Sequence, residues 1–170
     1  MHHILMNQGS EALLWKRIHG KNILKQYQHR EQKIYPAQRG RLKYFRGHLY
    51  ERRPWIEGIT LREFMASGVG PHLRSLVWQK CLENYFQQWK NRQVLHGDLK
   101  PENCILYRDS VGDWDSLWID WPVYSRPGWI RYTPQYVAPE KIVSGEDSLA
   151  SEIFSLSIIA RELFAARSAS

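Results

Sequence analysis

The period of the hydrophobic positions changes near Gly58. Before it, short runs rich in aliphatic and aromatic residues, at 12–15, 21–25, 41–45 and 48–55, are punctuated by Gly9, Gly20, Gly40 and Gly47. That is the pattern of strands joined by tight turns. After it the pattern becomes helical. Thr60-Leu61-Arg62-Glu63 has the form of a capping box, in which a hydroxyl and a carboxylate satisfy the free amides of a helix start, and it predicts a short helix to about Ser67. Pro71, tolerated in a first helical turn, opens a longer helix on which Leu73, Val77, Cys81, Tyr85 and Trp89 fall four apart on one face. A last helix is expected over 148–165, with Ile153, Leu156, Ala160, Leu163 and Phe164 as its apolar stripe.

Composition narrows this to one domain. A chain of 170 residues with 43% hydrophobic and 13% aromatic side chains can bury one core but hardly two. The net charge of +7 would attract any polyanion. The basic residues between Lys16 and Arg53 lack the periodicity of a groove-tracking helix, so they read as a solvated or nucleotide-facing surface, and nucleic acid is not an expected partner. Cys81 and Cys104 lie in apolar surroundings, outside any metal-site or disulfide spacing. No stretch approaches the roughly 20 apolar residues of a membrane span. The expectation is a soluble protein of a reducing compartment, the cytoplasm, with a secreted effector acting in a host cytosol as a variant raised by its small size.

The chemistry concentrates in His96-Gly97-Asp98-Leu99-Lys100-Pro101-Glu102-Asn103, directly after the long helix. This segment resembles the catalytic loop of protein kinases, in which an Asp orients the attacking hydroxyl and an Asn five residues later holds magnesium. The resemblance implies Asp98 as the base, Lys100 as a charge steadying the transferred phosphoryl group, and Asn103 as a metal ligand. Leu117-Trp118-Ile119-Asp120 reads as a short apolar strand ending in an acid and is similar to the kinase metal-binding Asp-Phe-Gly segment at the Asp, which implies Asp120 as the second ligand. Trp121 and Pro122 replace the family's aromatic and glycine, which speaks against a flipping switch. Tyr132-Thr133-Pro134-Gln135-Tyr136-Val137-Ala138-Pro139-Glu140 resembles the end of a kinase activation segment, with Thr133, Pro134 and Tyr136 as a platform for a protein acceptor and Thr133 contacting the catalytic Asp and Lys. Gly97 stands where many regulated kinases carry an Arg that pairs with a phosphorylated loop. Glu152, in Ser151-Glu152-Ile153-Phe154-Ser155, stands where the family has an Asp that accepts the catalytic loop's amides.

The first third carries a looser likeness. Residues 6–12, with Gly9 and Ser10, look like a nucleotide-covering loop with one glycine in place of three, a form similar to the compact kinase subunit of the KEOPS complex. Lys25, after Ile23 and Leu24, sits where the family has its phosphate-binding lysine, and Glu31 is the candidate partner for it. Residues 49–58, including Glu51 and Arg53, look like the hinge strand beside adenine. The resemblance thus implies a truncated two-lobed kinase-like α+β fold: a small antiparallel-sheet upper lobe and hinge over 1–58, with its helix C reduced or missing, and a helical lower lobe over 59–170 ending after helix F.

The implied function is ATP- and Mg²⁺-dependent phosphoryl transfer to a Ser or Thr hydroxyl of a protein, with a regulatory partner covering the truncated lower lobe. Two alternatives stay open. One is a pseudokinase that binds a partner without catalysis; the other is a small-molecule kinase acting on a sugar, for example of a lipopolysaccharide.

Overall fold

The computed structural model describes residues 3–8, 12–17, 22–27, 33–34, 42–46, 48–122, 124–125 and 130–165. Content is mixed α and β with small antiparallel sheets, and the chain divides into two compact units: Met1–Ile56 with Val123–Pro127, and Glu57–Pro122 with Gly128–Ser170.

In the first unit, β1 (His3–Gln8), β2 (Ala12–Arg17), β3 (Asn22–Tyr27), β5 (Leu42–Phe45) and β6 (His48–Pro54) form one sheet in the order β1-β2-β3-β6-β5. Every pairing in it is antiparallel. Opposed residues share a face, so Lys25, Glu51 and Leu42 line up across three strands. On that face Tyr27, Leu49 and Glu51 are buried, whereas Lys43, Phe45 and Arg52 on the other are exposed. β4 (Lys33–Ile34) pairs with β10 (Tyr124–Ser125). Two findings differ from the sequence reading. β1 is a strand where the hydrophobic pattern marked none, and Met6 to Gln8, read as loop, belong to it. The positions Gly9, Ser10 and Glu31, and most of the stretch in which helix C would fall, lie outside the described residues.

The second unit is built on two helices. α1 (Leu61–Ala66) starts at the capping box expected for it: Glu63 N donates to Thr60 Oγ1 at 3.1 Å and Thr60 N donates to Glu63 Oε2 at 2.6 Å. α2 (Pro71–Arg92) buries Val77, Cys81 and Tyr85, with Leu73 and Trp89 packed against the same core. A three-stranded sheet of β7 (Ile59–Thr60), β8 (Cys104–Arg108) and β9 (Trp114–Trp118) lies on α2. Trp118 Nε1 donates to the carbonyl of Cys81, and Asn84 Nδ2 donates to Asp115 Oδ1. The thiols of Cys81 and Cys104 are free and buried with their sulfurs 3.6 Å apart, and burial pushes the Cys104 thiol pKa well up. Among the described residues no helix is long and apolar enough to cross a membrane.

The strand β7 lies so close to β8 that Gly58 cannot carry a side chain: a Cβ there would stand 2.2 Å from the Leu106 carbonyl oxygen and 2.9 Å from Ile105 Cγ2. Gly58→Ala is expected to cost about 1–3 kcal/mol, read from urea unfolding midpoints.

α3 (Pro139–Ser144) and α4 (Leu149–Ala165) complete the unit. The extent of α4 agrees with its expected range, but its buried face is turned: Glu152, Ser155, Leu156, Ile159 and Leu163 face inward, while Ile153 and Phe164 are exposed. The reason is polar. Glu152 and Ser155 have backbone partners inside the unit, and reaching them fixes the rotation of the helix.

Candidate active site

The long helix α2 ends at Gln93, whose left-handed backbone (φ 55) turns the chain out of the helix and into the loop. Burial and hydrogen bonding hold that loop. His96 is fully buried, its Nδ1 accepts from Asp98 N at 3.3 Å, and its Nε2 lies 2.7 Å from the carbonyl of Ile119, which only a donor can satisfy. The ring is therefore neutral with its proton on Nε2. Burial first, and then the charge of Arg131, bring its pKa down to about 3.

Beneath the loop, the carboxylate of Glu152 accepts from His96 N (3.0 Å), Gly97 N (2.8 Å) and Tyr85 Oη (2.6 Å). The longer side chain does reach the loop amides. Burial outweighs these three donors and raises the pKa of Glu152.

The neutral histidine gives a pH dependence with a definite sign. Its native pKa is depressed, so below about pH 6.5 the unfolded chain takes up a proton that the native state refuses, and stability falls as pH falls. Between pH 7 and pH 5 this amounts to about 2 kcal/mol. In His96→Gln that portion of the slope should vanish; equal slopes in urea titrations of both proteins would contradict a buried neutral ring.

Asp98 sits at the mouth of the loop. Its Oδ1 accepts from Thr133 Oγ1 at 2.7 Å, its Oδ2 pairs with Lys100 Nζ at 3.0 Å, and Lys100 Nζ also donates to Thr133 Oγ1 at 3.0 Å. Acid, cation and hydroxyl thus form a closed triangle across 35 residues of sequence. Burial alone would raise the pKa of Asp98, but the bonds from Thr133 and Lys100 and the charges of Lys100 and Arg131 outweigh it, and the carboxyl titrates below the usual aspartate value.

Asn103 closes a short 3-10 turn (Pro101–Asn103) and donates from Nδ2 to the Asp98 carbonyl at 2.9 Å. Its own carbonyl accepts from Ile119 N at 2.8 Å, extending the Cys104–Trp118 strand pairing by one step. That bond sets Ile119 opposite Asn103, and Asp120 follows it in the chain, two residues beyond the end of β9. The backbone of Asp120 is left-handed (φ 61), a conformation Asp tolerates better than most residues, and its carbonyl accepts from Arg131 Nη1 at 2.5 Å. Trp121, next in the chain, is locked: its ring stacks on Tyr85 at 5.7 Å, and Nε1 lies within 2.9 Å of Gln88 Oε1 and the Trp118 carbonyl.

The platform residues fare differently from one another. Thr133 touches Asp98 and Lys100, and Pro134 is exposed. Tyr136 is buried, with its hydroxyl bonded to Glu162 Oε2 at 2.7 Å and to Arg62. Arg62 also pairs with Glu162 and with Glu102 of the 96–103 loop, so one guanidinium fastens α1, the loop and α4 around that tyrosine. In the first unit, Lys25 lies directly opposite Glu51, and Glu51 accepts from Tyr27 Oη (2.8 Å) and Arg53 Nη2 (2.6 Å). The backbone of Glu51 stands between β3 and β5, and Arg53 pairs with Ile23. Sequence reasoning missed the roles of Arg62 and His96 and the placement of Glu51 against Lys25, because each depends on partners remote in sequence.

Among the described residues no group of three His, Cys, Asp or Glu side chains converges as an all-protein metal cage. The donors present are of another kind. A carboxylate and an amide oxygen on adjacent segments are hard oxygen ligands few enough to leave positions for water and phosphate, which suits magnesium.

No protein-family model matches the chain. Among curated proteins it is 30% identical over 146 residues to the serine/threonine-protein kinase PknD of Chlamydia pneumoniae, covering 65% of this chain and 15% of that protein. It is 23% identical over 124 residues to the serine/threonine-protein kinase pkn2 of Myxococcus xanthus, covering 66% of this chain and 15% of the other. It is 34% identical over 74 residues to a probable cAMP-dependent protein kinase catalytic subunit of Encephalitozoon cuniculi, covering 42% of this chain and 22% of that one. The first two alignments span only 15% of the length of these relatives.

Proposed function

We propose, from the premise that this is a protein-kinase-like chain distantly related to Ser/Thr protein kinases over about 65% of its length, that it transfers the terminal phosphate of ATP to a Ser or Thr hydroxyl of a protein. The observation that carries the reading is the triangle of Asp98, Lys100 and Thr133, with Asn103 bonded to the same loop and, through its carbonyl, to Ile119, the residue before Asp120. In this reading the strand-rich unit corresponds to the upper lobe and the helical unit to the lower lobe of a kinase-like fold.

Asp98 would take the acceptor hydroxyl in place of Thr133 Oγ1, orienting its lone pair for in-line attack. Because its pKa is low, Asp98 is ionised at neutral pH; it aligns the hydroxyl and takes the proton late. Lys100, already paired with Asp98, would add positive charge where the transferred phosphoryl oxygens become more negative. Asn103 and Asp120 would hold magnesium, which neutralises charge on the phosphates of ATP. In the strand-rich unit Lys25, directly opposite Glu51, would be the nucleotide-binding lysine. Thr133 and Pro134 would receive the acceptor segment, with Tyr136 bracing it from below. A regulatory partner would meet the outward side chains of α4, Ile153 and Phe164.

The test is label transfer from γ-labelled ATP by the purified chain, with dephosphorylated casein as acceptor, followed by acid hydrolysis of the product. Phosphoserine or phosphothreonine is expected, on casein or on the chain itself. Label on a saccharide and none on protein would move the reading to a sugar kinase. ATP binding without transfer to either would leave a pseudokinase.

A further inference from the structure

The chemistry just outlined leaves Lys141 without a role, although it is one of the most deeply buried cations among the described residues. Its side chain is 5% exposed, at the head of α3. Its ammonium donates to the carbonyl of Gly97 and to that of Arg131 (2.7 Å) and pairs with the carboxylate of Asp147. Three protons meet three acceptors, which is the full capacity of the group.

Each acceptor belongs to a different segment. Gly97 immediately precedes Asp98, Arg131 lies two residues before Thr133, and Asp147 lies between α3 and α4. Asp98 and Thr133 bond each other in front, so Lys141 ties the same two segments together from behind. The arrangement disfavours a side chain at position 97. Gly97 has φ 76, and a Cβ there would stand 2.9 Å from Asp147 Oδ2, so the counter-ion of Lys141 fills the space beside the loop. The held segment also reaches Asp120, whose carbonyl accepts from Arg131 Nη1. A desolvated ammonium is stable only while its partners stay in place, so each segment holds the other.

We infer that Lys141, with Asp147, is a built-in cationic tether: a positioning residue that keeps the acceptor-side segment docked on the catalytic loop with no phosphate added to the chain. The inference rests on the phosphotransfer reading and deepens it, since it makes the site constitutively assembled.

The experiment compares the full chain, treated with phosphatase and then freed of it, with Lys141→Met and Lys141→Arg. Two readouts are taken: phosphate transfer from ATP to dephosphorylated casein, and hydrogen exchange of the amides over 131–137. Phosphatase treatment should leave wild-type turnover within about twofold. Lys141→Met should lower kcat by about tenfold or more, because the acceptor is no longer held in line. It should also speed exchange at Tyr136 and Val137 by about tenfold, with amides inside α2 unchanged. Lys141→Arg, which keeps the cation, should recover part of both; if Met, which fills the volume without charge, is the better tolerated of the two, the tether is overturned. Unchanged exchange over 131–137 in Lys141→Met also overturns it, as does loss of wild-type turnover on phosphatase treatment. If no preparation transfers phosphate but exchange still rises in Lys141→Met, the tether stands and the transferase reading falls. Should Lys141→Met fail to fold, Asp147→Asn removes one partner of the lysine, with an expected change of about threefold in the same readouts.

Discussion

Asp98→Asn is expected to lower phosphoryl transfer about 10³-fold while leaving the protein folded and able to bind nucleotide. Asparagine has the same shape, its Oδ1 can still accept from Thr133 Oγ1, and Lys100 keeps its bond to that hydroxyl. In the phosphotransfer reading, what is lost is the charge that aligns the acceptor and takes its proton. The same charge sets the acid side of the pH profile. Thr133 and Lys100 hold the carboxyl ionised below the usual aspartate range, so activity that depends on it should persist as pH falls past the ordinary value for an aspartate. Stability contributed by these bonds is likewise present above that value and lost as pH falls through the depressed one. A rate in Asp98→Asn within tenfold of wild type would remove Asp98 from the chemistry.

The largest effect on stability is expected at Glu152. Glu152→Ala leaves His96 N and Gly97 N buried without an acceptor, at about 1–3 kcal/mol each, and opens a cavity beside Tyr85. A total of at least about 3 kcal/mol is a large fraction of the 5–15 kcal/mol available to a domain. Glu152→Gln should cost about half as much, since the amide oxygen can keep one backbone donor while its nitrogen opposes the other. Urea unfolding monitored by tryptophan fluorescence checks the order Glu, Gln, Ala. Activity should fall with stability, because the two amides belong to the residues that lead into Asp98.

These two residues also show how much of the molecule was legible in its sequence. The spacing from His96 to Asn103 marks the loop in the sequence, and some of its bonds are local, such as that from Asn103 to the Asp98 carbonyl five residues away. The face of α2 was legible for a similar reason, because residues four apart share a face in any helix. The phase of α4 was not. Hydrophobicity favoured Ile153 and Phe164 for the interior, but the Glu152 carboxylate and the Ser155 hydroxyl, bonded to His96, Gly97 and Tyr136, rotate the helix away from that choice. Register is the other obstacle. Nothing near Glu51 in the sequence indicates that it will stand opposite Lys25 across the β3–β6 pairing, nor that Arg62 will meet Glu162 a hundred residues later. Charged side chains whose partners are remote carry no periodic signal, and they hold much of this site together.

The central claim is that the catalytic loop and the end of β9 present one magnesium–phosphate site. It is tested most directly by the thermal shift that ATP produces with and without Mg²⁺ in the wild-type chain, and in Asp120→Asn combined with Asn103→Ala, since a ligand that prefers the native state raises the melting temperature in proportion to its binding free energy. The account predicts a shift that grows when magnesium is added to wild type and does not respond to magnesium in the double variant. A shift that ignores magnesium in wild type, or that responds equally in both proteins, would contradict it.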